Sequence, residues 1–196
     1  MFRRLLLAAA LSVCAFSSAQ AETKTYKFDP LHTQILFFVE HMGFSHSNGK
    51  FLKFDGDFTF DEAKPAEGKT QVTIQTDSLN MDDAKWEEHV KGKDMFNTAQ
   101  FPTMAFKSTK VEMTGEKTAK LTGDLTMLGQ TKPVTLDVTW NKCGEHMMTK
   151  AQTCGFDATG TLKRSEWGMA YGIPMVSDDV KLMITVEGSV VPGVNP

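Results

Sequence analysis

Proline and cysteine are scarce in this chain, and their scarcity sets the first limits. With only 7 prolines in 196 residues, most of the backbone is free for regular structure, and one compact domain with a sizeable core is the expectation. Beyond Phe16, no stretch approaches the ~18 uninterrupted apolar residues that a membrane-spanning helix needs, so a permanent helical anchor is not expected. Familiar catalytic apparatus is missing as well: there is no G-x-S-x-G elbow, no H-E-x-x-H, no phosphate-cradling glycine loop and no C-x-x-C. Basic residues are outnumbered, 21 against 24 acidic. That balance speaks against nucleic acid or anionic membrane surfaces as main partners, and no stable membrane insertion is expected.

The N-terminus reads differently from the rest. Met1-Phe2-Arg3-Arg4 is a short positive segment, Leu5 to Phe16 is apolar, and Ala19-Gln20-Ala21 is a small-x-small cleavage site, the pattern of a secretory signal peptide. Residues 1–21 are the expected signal, and residues 22–196 a single exported, periplasmic domain. A lipoprotein signal ending at Cys14 is the rival, but Val13 stands where a small residue is required. Losing residues 1–21 removes two arginines and no acid, which leaves 19 basic and 24 acidic residues and a net charge of −5. Of three cysteines, Cys143 and Cys154 then remain. In an oxidising compartment they are most simply a disulfide, with a metal site that includes His146 as the alternative.

From Tyr26 onward the apolar residues recur with a period of two. Ile35, Phe37 and Val39 alternate with Leu36, Phe38 and Glu40; Leu52, Phe54, Phe58 and Phe60 alternate with Lys53, Asp55, Asp57 and Thr59. The same rhythm returns at Val72-Ile74, Met104-Phe106, Leu121-Leu125-Met127, Val134-Leu136-Val138-Trp140, Phe156-Ala158-Leu162 and Val180-Leu182-Ile184-Val186. About eight strands follow, in an all-β fold. An eight-stranded antiparallel up-and-down barrel and a two-sheet sandwich both satisfy this pattern, and only closure separates them. One segment breaks the rhythm. Asp82 to Lys91 carries Trp86, His89 and Val90 at helical spacing, with Asp82 as a candidate cap, and predicts a short helix between strands three and four. It would either plug one barrel end or pack Trp86 and Val90 on the outer wall.

Five histidines, His32, His41, His46, His89 and His146, are the remaining candidates for chemistry. His41 and His46 flank Gly43 and could reach one ion from a loop, yet two imidazoles without a third ligand make a poor site. The scattered methionines suit gap-filling better than soft-metal ligation. No catalytic residue, metal site or cofactor is assigned.

In combination and in order, five features resemble the YceI-like family of exported, polyisoprenoid-binding proteins with a lipocalin-like barrel. They are Tyr26-Lys-Phe-Asp29-Pro30-Leu-His32-Thr33, the aromatic strand ending in His41, Gly49-Lys-Phe51, Gly123-Asp-Leu-Thr126 through Gly129-Gln-Thr-Lys132-Pro133-Val134, and Arg164-Ser-Glu-Trp167-Gly168-Met169. The resemblance covers about Tyr26 to Val191. Thr33 stands where the family usually has Ser, and Trp86-Glu87-Glu88-His89 replaces its commoner Arg-Asp-x-His. What the resemblance implies is a hollow barrel holding a long apolar chain, such as an isoprenoid or quinone, in its lumen, often as a homodimer. The side chains then expected to line the ligand are Ile35, Phe37, Val39, Phe54, Phe58, Ile74, Phe106, Leu125, Val134, Leu136, Val138, Trp140, Phe156, Trp167, Leu182 and Ile184. Arg164 shares the parity of Phe156 and Leu162, so it is expected to point inward, either to a phosphate or carbonyl headgroup or into a rim salt bridge. The alternatives to a lipid carrier are a periplasmic metal or haem binder using His32, His41 and His46, an enzyme acting on an isoprenoid or quinone, and an interaction module with a solid core.

Overall fold

The computed structural model describes residues 23–190; the expected signal segment and Cys14 lie outside the described residues. Eleven antiparallel ladder segments form one sheet that closes on itself. They are β1 (Lys24–Phe28), β2 (Gln34–His41), β3 (Ser45–Phe51), β4 (Phe54–Phe60), β5 (Lys69–Gln75), β6 (Leu79–Asn80), β7 (Thr103–Met113), β8 (Thr118–Met127), β9 (Gln130–Glu145), β10 (Gln152–Lys163) and β11 (Val176–Val190). Three pairs of segments are single strands interrupted midway. Along one edge β11 pairs with β10, and along the other it pairs first with β2 and then with β1. In the same way β3 and β4 pair with β2 and β1, and β6 and β5 pair with β3 and β4. The result is an eight-stranded antiparallel up-and-down barrel. Closure decides against the sandwich and removes the exposed edges that eight open strands would leave.

Two of the interruptions show their local cause. Between β1 and β2, Asp29 Oδ1 accepts from the Leu31 N–H, and the Asp29 carbonyl accepts from the Thr33 N–H. Buried Thr33 then donates through Oγ1 to the Glu187 carbonyl at 3.1 Å. Between β3 and β4 the break turns Leu52 outward, 57% exposed, so the alternation expected from Leu52 onward holds only from Phe54. The turn between β8 and β9 is Leu128-Gly129, both at positive φ, as a two-residue hairpin following the strand twist demands.

Helix α1 (Ala84–Lys91) lies between the third and fourth strands as expected, but its cap is Asp83. Asp83 Oδ1 accepts from the N–H groups of Lys85 and Trp86, each at 3.0 Å. Trp86 is 48% exposed. Val90 and the turn after the helix deliver Met95 and Phe96 to one end of the barrel, with the Phe96 ring 5.5 Å from that of Phe51. The opposite end is filled by stacked and edge-to-face rings, among them Tyr26, Phe58, Phe60, Trp140 and Phe156. There a disulfide joins Cys143 of β9 to buried Cys154 of β10, which stand opposite each other in register. Among the described residues no helix is long and apolar enough to cross a membrane.

Candidate functional site: the barrel lumen

Four glycines keep the middle of this barrel open. Gly49 lies opposite Phe37, Gly56 under Phe28, Gly123 under Phe106 and Gly188 under Phe58, each ring so close that a Cβ at the glycine would overlap it. A ring can lie flat on the wall only where the facing residue has no side chain. Two abutting cavities result. The larger, about 210 Å³, reaches from the α1 end past Ile74, Phe106 and Leu136. The smaller, about 130 Å³, lies beside Phe58, Trp140 and Phe156. Phe28, Thr70, Leu121, Ala158 and Val186 border both.

The lumen has a side mouth. β5 pairs with β7 only between Gln71–Lys107 and Gln75–Thr103, whereas β7 continues to Met113 on its β8 side. The smaller cavity is bordered on one side of this split by Pro65, Gly68 and Lys69 and on the other by Val111, Met113 and Lys117.

Most of the expected lining residues meet here. Ile35, Phe37, Val39, Ile74, Phe106, Leu125, Val134, Leu136, Leu182 and Ile184 border the larger cavity, and Phe58, Val138, Trp140 and Phe156 the smaller. Between them Thr135, Asp137 and Thr139 are exposed, so the alternation along β9 is the alternation of lumen and solvent. Two residues differ from expectation. Phe54 packs against the lumen residues without bordering either cavity. Trp167 is 1% exposed and packs within the core cluster without bordering either cavity, and its indole N–H donates to the Leu125 carbonyl at 3.2 Å. Sequence reading missed Met81, Met95, Phe96 and Met169, which border the larger cavity. They lie in connections where no period of two marks a face.

Arg164 points inward, as its parity indicated, and borders the larger cavity, but among the described residues it forms no rim salt bridge. It is 2% exposed, and four of its N–H donors are taken by main-chain carbonyls. Nε donates to Ser177 at 2.8 Å, one terminal nitrogen to Met169 at 3.0 Å and Tyr171 at 2.8 Å, and the other to Val176 at 3.0 Å. The guanidinium thus pins the loop from Gly168 to Met175 across the barrel end. Burial pulls its pKa below the usual guanidinium value, while Asp178 acts in the opposite direction. Asp178 in turn accepts from the Ser165 N–H and hydroxyl, and the backbone bond in particular lowers its carboxyl pKa.

The histidines do not converge. His41 pairs with Ser45 and His46 with Glu40, so their side chains leave opposite faces of one hairpin and cannot share an ion. His89 packs on Tyr171, with ring centroids 5.2 Å apart. His146 Nδ1 faces the N–H groups of Met148 and Thr149 in a hairpin turn. His32 Nδ1 lies 2.7 Å from Asp29 Oδ2, which raises the imidazole pKa and lowers that of the carboxyl. Glu187 stands beside this pair, and each of the three offers an atom within 4.8 Å of the others. All three lie outside the lumen lining.

Comparison with known proteins converges on one family. The YceI-like domain model matches residues 26–188. A UPF0312 protein of Pseudomonas aeruginosa is 36% identical over 190 residues, 96% of this chain and 98% of its own length. Among solved structures, Burkholderia cenocepacia BcnA superposes with a TM-score of 0.74 at 28% identity, over 82% of this chain and 98% of its own. A polyisoprenoid binding domain from Saccharophagus degradans, implicated in plant cell wall breakdown, shares the fold at 12% identity with a TM-score of 0.66, over 85% of this chain and 98% of that one. The hollow barrel, its ordered motifs and the match across nearly all described residues make this chain a member of the YceI-like family.

Proposed function

We propose that this chain is an exported, periplasmic carrier that holds one long apolar chain, a polyisoprenoid, an isoprenoid quinone or a similar lipid, in its lumen and performs no reaction on it. The observation that carries this reading is the open apolar interior, which extends from the α1 end to the side mouth. Close-packed domains have few voids larger than a water molecule, and an apolar void gives water too few partners. A lipid tail suits such a space. Each methylene moved from water contributes about 0.8 kcal/mol, so burying ~15 carbons gains on the order of 12 kcal/mol before ordering costs. That a domain of the same fold is described as polyisoprenoid-binding points the same way.

The ionisable groups at the lumen favour a carrier over an enzyme. Among the described residues, Arg164, Lys69 and Lys117 are the ionisable side chains that border it, all cations. No acid or imidazole stands among the lining residues to exchange a proton near neutral pH. Apolar walls discriminate poorly among tails of similar length, and so the polar end of the ligand must supply specificity.

The test is organic extraction and mass spectrometry of protein purified from its own periplasm, with metal content and turnover measured on the same sample. The expected result is one long-chain lipid per protein. Stoichiometric zinc, copper or haem without lipid would support the metal-binder reading. Turnover of an isoprenoid or quinone would identify an enzyme, and an empty protein that takes up no added lipid an interaction module.

A further inference from the structure

The junction where β11 passes from β2 to β1 carries a side-chain cluster that the lumen does not use. Asp29 and His32 stand in the break between β1 and β2, and Glu187 lies beside them on β11. Among the described residues, no other three histidine, cysteine, aspartate or glutamate side chains bring donor atoms together in this way. Two carboxylates alone would signify nothing, because acids are mostly exposed on any protein surface. Here an imidazole joins them, and among the described residues no lysine or arginine forms an ion pair with either acid. The donors are open to solvent, with the His32 side chain 60% and that of Asp29 30% exposed, so an ion can reach them.

The main chain fixes where the three side chains begin. The Asp29 N–H donates to the Glu187 carbonyl at 2.8 Å, and the Glu187 N–H to the Thr33 hydroxyl at 3.2 Å. Asp29 Oδ1 accepts from the Leu31 N–H at 2.8 Å, which turns Oδ2 toward the imidazole. Oδ2 lies 2.7 Å from His32 Nδ1, with one proton shared between them. A tetrahedral cation with ligands at about 2.0–2.1 Å needs its donors about 3.3 Å apart, so putting the ion in place of that proton opens the pair by only about 0.6 Å. Glu187, with an atom within 4.8 Å of both partners, closes the third position by a side-chain rotation, and water takes the fourth.

We infer that Asp29, His32 and Glu187 bind one divalent cation of the zinc class. One imidazole nitrogen with two carboxylates suits a borderline ion, whereas magnesium and calcium ask for oxygen ligands in larger number and monovalent copper for sulfur. The three residues lie outside the lumen lining, so the ion braces the wall and does not touch the carried chain. It adds a side-chain tie between β11 and the β1–β2 break, at the point where β11 changes its neighbour. The inference does not rest on the carrier reading.

The experiment uses untagged mature protein stripped with a chelator, and the metal alone as zinc chloride. Calorimetry should find one zinc per chain at micromolar concentration, and the melting temperature should rise with added zinc. Asp29→Asn, His32→Gln and Glu187→Gln, all of similar size to the residues they replace, should each weaken uptake by about tenfold or more. A variant with His41, His46 and His146 all changed to Ala should bind zinc as wild type does. In wild type, zinc should move the His32 ring resonances and leave those of the other histidines in place, a readout that depends on no variant. An unmoved His32 ring, unchanged uptake in the three ligand variants, or loss of uptake in the variant lacking His41, His46 and His146 would overturn the inference. Displacement of zinc by an equal concentration of magnesium would reveal attraction to two acids and nothing more, and would overturn it as well. So would a wild type that takes up no zinc at micromolar concentration.

Discussion

Gly49→Ala measures whether the lumen is truly vacant. The added Cβ would lie 2.5 Å from Met81 Sδ, 2.5 Å from Phe37 Cζ and 2.8 Å from Phe37 Cε1. Favourable separation is about 3.5–4.0 Å, so both side chains must retreat by about 1 Å. Both are flexible tips that border the larger cavity, and the cavity is where they can go. In a solid core such overpacking costs about 1–3 kcal/mol. With space available the cost falls, and Ala at a position outside the left-handed region gains about 0.4–1 kcal/mol by restricting the unfolded chain. Delipidated Gly49→Ala should therefore lie within about 1 kcal/mol of delipidated wild type in urea, with an unchanged slope. Stripping is essential, because bound lipid stabilises wild type by mass action. Gly123→Ala is the internal contrast. Its Cβ would meet the Lys107 carbonyl oxygen at 2.6 Å as well as the Phe106 ring, and a ladder carbonyl cannot retreat. That variant should lose about 1–3 kcal/mol. If Gly49→Ala loses as much as Gly123→Ala, Phe37 and Met81 have no room and the interior is not hollow.

Reducing the Cys143–Cys154 disulfide should lower stability by about 2–3 kcal/mol, given its short loop, and thiol titration of the unfolded, unreduced mature protein, without Cys14, should find no free thiol. Arg164→Lys should cost about 3 kcal/mol, because one ammonium cannot span four carbonyls; hydrogen exchange should quicken between Gly168 and Val176. The Asp29–His32 pair gives a pH signature. His32 titrates above its ordinary 6.5, so its contribution is complete below that value and is lost as pH rises through the folded pKa. Asp29 titrates below its ordinary 3.8, so its contribution is present above that value and is lost as pH falls through the folded pKa. An NMR titration should find the His32 pKa raised in wild type and lower in Asp29→Asn, and an unchanged His32 pKa would refute the pairing.

Strand positions were legible because each strand has one face in the lumen and one in solvent, as along Val134 to Trp140. The interruptions at Asp29–Thr33 and at Leu52 were not, since each depends on which strand lies alongside. Parity placed Arg164 inward correctly, yet its partners are main-chain carbonyls, which no side-chain pattern reveals. Asp82 and Asp83 are equally good caps on paper, and only the turn that puts Asp82 at φ 58° selects its neighbour. The separation of His41 from His46 follows from hairpin register, which fixes faces only when the turn length is known. Trp167 shows that an aromatic residue beside an inward Arg can pack into the core without bordering the cavity.

The grip of Arg164 on its loop carries a consequence for how the protein can vary. A loop held by its side chains loses its shape when those side chains change. This one is held by its backbone, so the identities of Tyr171 and Met175, both more than half exposed, are decoupled from its path. Natural drift or deliberate library selection can rewrite the outer surface of this barrel end while the guanidinium keeps the same curve of chain in place. Positions 171 and 175 are thus display positions whose geometry is inherited and whose chemistry is exchangeable.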